Sequence, residues 1–264
     1  MIRPSSAALG LVAAMALLAG ACNSTPPGPA LTDPKEIVTA ALKSTEAAKS
    51  VHIDITVDGK ATVKLPNTSG PGTTVELAGT TAATDIDFAK PAARATFSAK
   101  VAGLTVAGEI IAIDGKTYTK TTLTGPLYQE SAASAAPVDP SNVGGLMDNL
   151  CDVLLKDAGT LVKGDDVACG SGQCYTVSTT LSPDELGLSG AGAGAVANLP
   201  IDLTGATVKV TVAVEKTLPY HLASVTAVLT TPDGNAVTVV ATASKWDQPV
   251  TVTAPPGDQV KPAS

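Results

Sequence analysis

The side chains of this 264-residue chain best suited to metal, redox or nucleophilic chemistry are few: Cys22, Cys151, Cys169, Cys174, His52 and His221. The two histidines stand in strand-like runs far apart in sequence, and neither has a cysteine or glutamate at metal-ligand spacing. Both read as strand-surface residues, and no metal site is expected. Cys169 and Cys174 bracket GSGQ, which is not the C-x-x-C spacing of a redox pair. No G-x-S-x-G elbow, H-E-x-x-H helix or Walker loop occurs. Residues 192–197, GAGAVA, match the loose dinucleotide fingerprint, but no strand leads into them and no βαβ unit surrounds them. The carboxylate pairs Asp165-Asp166 and Asp184-Glu185 read as solvated turn and helix-start residues that cap backbone amides. The sequence therefore assigns no catalytic residue, no metal and no cofactor, and the chain reads as not an enzyme.

The cysteines divide by position. Arg3 begins a leader whose apolar run AALGLVAAMALLAGA ends at Cys22. That run, about 15 residues, falls short of the roughly 20 needed to cross a bilayer, so it reads as an export signal. LLAGAC resembles a bacterial lipobox, in which small residues precede a cysteine that is acylated and becomes the new amino terminus. It departs at Ala19, where leucine is more usual. The competing reading is plain secretion, with Ala19-Gly20-Ala21 as an ordinary cleavage site. On the lipobox reading Cys22 is the lipid attachment, and the protein is anchored to the outer face of the cell membrane rather than embedded in it. In an exported chain, Cys169 and Cys174 flanking a Gly-rich turn read as a hairpin disulfide, leaving Cys151 a buried thiol. A bridge from Cys151 to either of the others is the alternative.

The elements that must position these residues are mostly strands. The chain is 44% apolar but only 3% aromatic, so its core must be built from small aliphatic side chains, which favours sheet. A net charge of -7 gives nucleic acid no electrostatic footing. Residues 23–31, NSTPPGPAL, read as a semi-rigid tether reaching about 28 Å. Asp33, Pro34 and Glu36 form a capping-box start, and Ile37, Val38, Ala41, Leu42 and Thr45 follow on one helical face. From Ser50 the period becomes two, with Val51, Ile53, Ile55 and Val57 alternating against His52, Asp54, Thr56 and Asp58. Further strand runs are TTVELAGTTAATDIDF, ARATFSAKVAG, LTVAGEIIAID, KTYTKTT, GTLVKGDDVA, CYTVSTT, ATVKVTVAVEK, YHLASVTAVLT, AVTVVATASKW and PVTVTAPP. Asp114-Gly115 is a two-residue hairpin signal, and the whole reads as an antiparallel meander. A second helix is expected over residues 140–159, and SPDELGL as a helical turn. The domain division is residues 1–21 leader, 22–31 acylated cysteine and tether, 32–254 one domain, and 255–264 a loose tail.

This order resembles the LppX/LprA/LprF/LprG lipoprotein family of mycobacteria and related bacteria. The likeness is carried by the lipobox with its Pro-rich tether and the helix running into AAKSVHIDITVDGK. It continues in IDGKTYTK with the following PLYQE, the 140–159 helix and the closing ASKWDQPVTVTAPP. The resemblance implies an α+β fold: a strongly curved antiparallel half-barrel with helices packed on its concave side, enclosing an apolar cavity for acyl chains. It implies carriage or presentation of a lipid or glycolipid, a membrane transporter as a further partner, and a monomer. The candidate lining residues are Phe97, Val101, Ile111, Leu146, Met147, Leu150 and Leu154, each of which plain core packing would also explain. The chain departs from the family pattern in Cys151, Cys169 and Cys174, and in the Gly/Ala-rich residues 187–198, placed to border a cavity mouth. The alternative function is an interaction or envelope-sensing module of the same fold with a filled core, docked on a membrane protein.

Overall fold

The structure is a computed structural model that describes residues 29–63, 72–101, 104–132, 153–156, 160–186 and 203–261. The leader with Cys22, most of the tether, Leu146, Met147, Leu150, Cys151 and the Gly/Ala-rich stretch lie outside the described residues. Among those described, no helix is long and apolar enough to cross a membrane.

The chain enters through α1 (Pro34–Ala47), started as its residue types dictate: the Asp33 carboxylate accepts from the Lys35 and Glu36 N–H groups, with Pro34 in the first turn. Ile37, Val38, Ala41 and Ser44 are its buried stripe. Burying an aliphatic side chain such as Ile37 or Val38 contributes about 1.5–3 kcal/mol, so tertiary packing holds a helix too short to persist alone.

Thirteen strands follow as one sheet: β1 (Ser50–Val63), β2 (Thr73–Glu76), β3 (Thr80–Asp87), β4 (Ala92–Val101), β5 (Leu104–Ile113), β6 (Lys116–Thr121), β7 (Gln129–Ala132), β8 (Val162–Lys163), β9 (Val167–Cys169), β10 (Gly172–Leu181), β11 (Thr207–Glu215), β12 (Leu222–Thr230) and β13 (Ala236–Ser244). The order is β7-β6-β5-β4-β3-β1-β13-β12-β11-β10-β8, with β2 on β1 and β9 on β10, and every named pairing is antiparallel. The two ends do not meet, so the sheet is an open, half-barrel-like antiparallel sheet carrying few helices, as the α+β expectation had it. Asp114 and Gly115 both take positive φ, 53° and 71°, as the β5–β6 hairpin turn requires.

Helix α1 packs on β10, β11 and β12, where Val177, Val210, Val212 and Val214 are all at most 4% exposed. We call this face of the sheet the inner face. Leu154, in the short described helical piece 153–156, joins the same cluster.

Three expectations change. PVTVTAPP forms no strand: Val252 instead packs on Ile111, Tyr118 and Tyr128. The tail expected to be loose from residue 255 is held as far as Lys261, because the Tyr128 N–H donates to Gln259 and the Lys261 N–H to Tyr128, each at 2.8 Å. GTLVKGDDVA divides into β8 and β9, both pairing with β10.

Candidate functional site

Because side chains alternate along a strand and paired residues share a face, the register defines the inner face rung by rung. One rung crosses nine strands: Thr121, Gly108, Phe97, Ala82, Ile55, Ala241, Val225, Val212 and Val177. Its Val212–Val177 end lies in the α1 core. At its other end Ile55, Ala82 and Phe97 are only partly buried and pack into none of the three buried clusters of the described residues. The same holds for Ala95 and Ile110, paired on the neighbouring rung, and for Val57 and Val239, paired on the next. Together these side chains make an apolar floor over β1, β3, β4, β5 and β13. A hollow of about 330 Å³ lies over the same strands, but Asp54, Thr56, Thr81, Ala83, Thr96 and Ser98, six of its nine lining residues, alternate to the opposite face from Ile55, Ala82 and Phe97, so it is a hollow of the outer face and not of the floor. A larger hollow of about 440 Å³, between the β3–β4 turn, the β5–β6 hairpin and residues 250–252, contains none of the floor side chains named above.

The candidate lining residues do not all meet. Phe97 lies on the floor. Leu154 is 2% exposed in the α1 core. Leu146, Met147 and Leu150 lie outside the described residues, as does the side chain of Val101. Ile111 faces the other way: it pairs with Arg94 and Tyr118 and packs with Tyr128, Val252 and Val260 under the returning C-terminal segment. In GEIIAI both parities are apolar, so alternation could not choose between Ile110 and Ile111. It is Ile110 that faces with Phe97. Sequence reasoning also missed Ile55 and Ala82, whose signal was the alternation of β1 read together with its cross-strand register.

The outer face carries the charge. Glu109 accepts from Arg94 Nε and from the Tyr128 hydroxyl, both at 2.5 Å, with Lys120 Nζ at 3.7 Å. Burial pushes its carboxyl up, but these hydrogen bonds and the charges of Arg94 and Lys120 prevail and hold it below the usual range. His52 lies between Asp85 at 2.7 Å and Asp54 at 3.3 Å. His221 is half-buried and not a freely solvated strand residue: its ring stacks on Trp246 with centroids 4.8 Å apart, and Ser44 Oγ of α1 lies 2.7 Å from Nδ1. That pair has the spacing of a nucleophile and base, but Ser44 is 6% exposed and Asp247 accepts from the Lys49 N–H, so no reactive cleft is built there. Burial holds the His221 imidazole below its ordinary pKa, against the opposing charge of Asp247. Cys169 and Cys174 form the expected disulfide. Asp166 pairs with Lys163 and Lys216 rather than capping a turn, whereas Glu185 does cap, accepting from the Ser182 N–H. Among the described residues no group of three His, Cys, Asp or Glu could hold a metal.

An open antiparallel sheet, a helix on one half of its inner face and an apolar floor on the other define a half-barrel protein in which the described residues assemble no catalytic centre. The chain belongs to the LppX_LprAFG lipoprotein family, whose sequence pattern matches residues 33–252. It is 28% identical over 254 residues to the lipoarabinomannan carrier protein LprG of Mycobacterium tuberculosis and of Mycobacterium bovis, covering 95% of this chain and 94% of those proteins. The crystal structure of LprF from Mycobacterium bovis shares the fold, with a TM-score of 0.52 and 19% identity over 88% of this chain and 99% of that one.

Proposed function

We propose that this protein is an exported lipoprotein, acylated at Cys22, that holds the acyl chains of a lipid or glycolipid against the inner face and carries or presents the lipid without catalysis. The observation that carries this reading is the rung Ile55–Ala82–Phe97, apolar, in register and packed into no described cluster. Such a surface loses free energy while it faces water, at about 25 cal/mol per Å² of apolar area. Acyl chains would recover about 0.8 kcal/mol per buried methylene without a specific polar contact. The enclosing cavity belongs to this proposal, with Phe97, Ile55, Ala82 and Ile110 as its floor. Because its relatives are lipoarabinomannan carrier proteins, a lipid-anchored glycan of the lipoarabinomannan type is the first ligand to try.

The test is native mass spectrometry with organic extraction on a leaderless Cys22→Ala protein made in a lipid-rich relative of the mycobacteria. Co-purifying lipid near one per chain is the expected result. A bare mass that stays unchanged after incubation with envelope lipid extract overturns the carrier reading and favours the filled-core module docked on a membrane protein.

A further inference from the structure

The tether does not leave the domain where the sequence alone would end it. The Tyr220 hydroxyl donates to the Pro29 carbonyl at 2.8 Å, and the Leu31 N–H donates to the Tyr175 hydroxyl at 3.0 Å. Two tyrosines from the β10 and β11–β12 end of the sheet thus grip the chain at residues 29–31. Only residues 23–28 separate this grip from Cys22. Seven peptide steps reach at most about 25 Å when fully extended, so an anchor at Cys22 keeps Tyr220 and its neighbours within that distance of the lipid.

Three of those neighbours are aliphatic and exposed. Leu218, two residues before Tyr220, is 45% exposed. Val167, opposite Cys174 and one position from Tyr175, is 41% exposed, and Val162, farther along the same sheet edge, is 61% exposed. The Lys216 N–H donates to the Gln173 carbonyl at 3.0 Å, which ties the Leu218 loop to the start of β10. Lys163 and Lys216 place their ammonium groups 5.6 and 4.9 Å from the Tyr175 ring centre, long stems that can lie along lipid with their heads in water.

We propose that this end of the half-barrel, with Leu218 and Val167 foremost, rests on the bilayer surface to which Cys22 is anchored and fixes how the protein stands on the membrane. The proposal rests on the anchoring under Proposed function; the occupant is lipid because the anchor confines this end to within about 25 Å of the bilayer, with exposed aliphatic side chains facing that short gap. Interfacial burial of a few aliphatic side chains is weak alone but effective beside a covalent anchor.

The experiment uses the full processed lipoprotein in vesicles of phosphatidylcholine and phosphatidylglycerol, with and without brominated acyl chains. Leu218→Trp and Val167→Trp report on this end. Leu123→Trp, exposed in the turn after β6 and far along the sheet from β10, is the reference. With flotation confirming that each variant is membrane-bound, brominated lipid is expected to quench the added tryptophan at 218 and 167 at least about threefold more than at 123. Floating protein with equal quenching at all three positions overturns this inference and leaves the anchor intact. Protein that does not float overturns the anchor, and this inference with it.

Discussion

The Phe97 ring lies across Gly108, its cross-strand partner, so closely that a methyl group on Gly108 would sit 2.6 Å from the ring edge and 2.6 Å from the Lys120 carbonyl oxygen. The absent side chain on β5 is what lets the one aromatic of the candidate floor lie where it does. Gly108→Ala should therefore cost about 1–3 kcal/mol, as overpacking does, read from the midpoint of urea unfolding. Phe97→Ala added to it should recover only part, because the backbone oxygen of Lys120 remains in the way.

Acid should weaken the protein through Glu109. Its folded pKa lies below the unfolded value, so its contribution is complete above the ordinary carboxylate range and is lost as pH falls through the folded value. Unfolding midpoints of the parent should drop below a pH of about 4.5, and Glu109→Gln should flatten that drop. At neutral pH the same variant should lose about 1 kcal/mol, since Arg94 and Tyr128 lose their charged acceptor.

His221 acts in a higher window. Its folded pKa is lowered, so between that value and the ordinary value of about 6.5 the unfolded chain binds the proton that the folded chain refuses. Stability should fall as pH drops from 7 toward 5. His221→Gln should remove that slope in thermal melts measured across the window, and a slope that persists would place its origin elsewhere.

The two tyrosines that grip the tether make a prediction independent of lipid. Tyr220→Phe and Tyr175→Phe each delete one hydrogen bond, worth about 0.5–1.5 kcal/mol. Amide exchange at Leu31, whose N–H donates to Tyr175, should quicken in the Tyr175 variant while exchange across β11 and β12 stays as in the parent. Global quickening would mean that the phenol ring packs the core and does not merely hold the chain end.

What residues 33–36 and 114–115 needed was local, and so it could be read directly. A carboxylate before a proline can satisfy the first helical amides, and Asp-Gly can take two positive φ values, whatever lies elsewhere. The Cys169–Cys174 bridge is local in the same sense, spanning a turn of five residues' separation. Strand alternation likewise announced that Val51, Ile53, Ile55 and Val57 share one face.

Which way a face points was not local. Ile110 and Ile111 are chemically alike, and only the β4–β5 register and the returning tail put Ile110 with Phe97 and Ile111 beneath Val252 and Val260. His221 looked like a strand-surface residue until the folded chain brought Ser44, 177 positions away, and Trp246 against it. The grip of Tyr175 and Tyr220 on residues 29–31 spans 144 and 191 positions. A period in sequence specifies which side chains travel together, because it follows from backbone geometry alone. What those side chains meet depends on segments that arrive from far along the chain, and only the tertiary structure decided it.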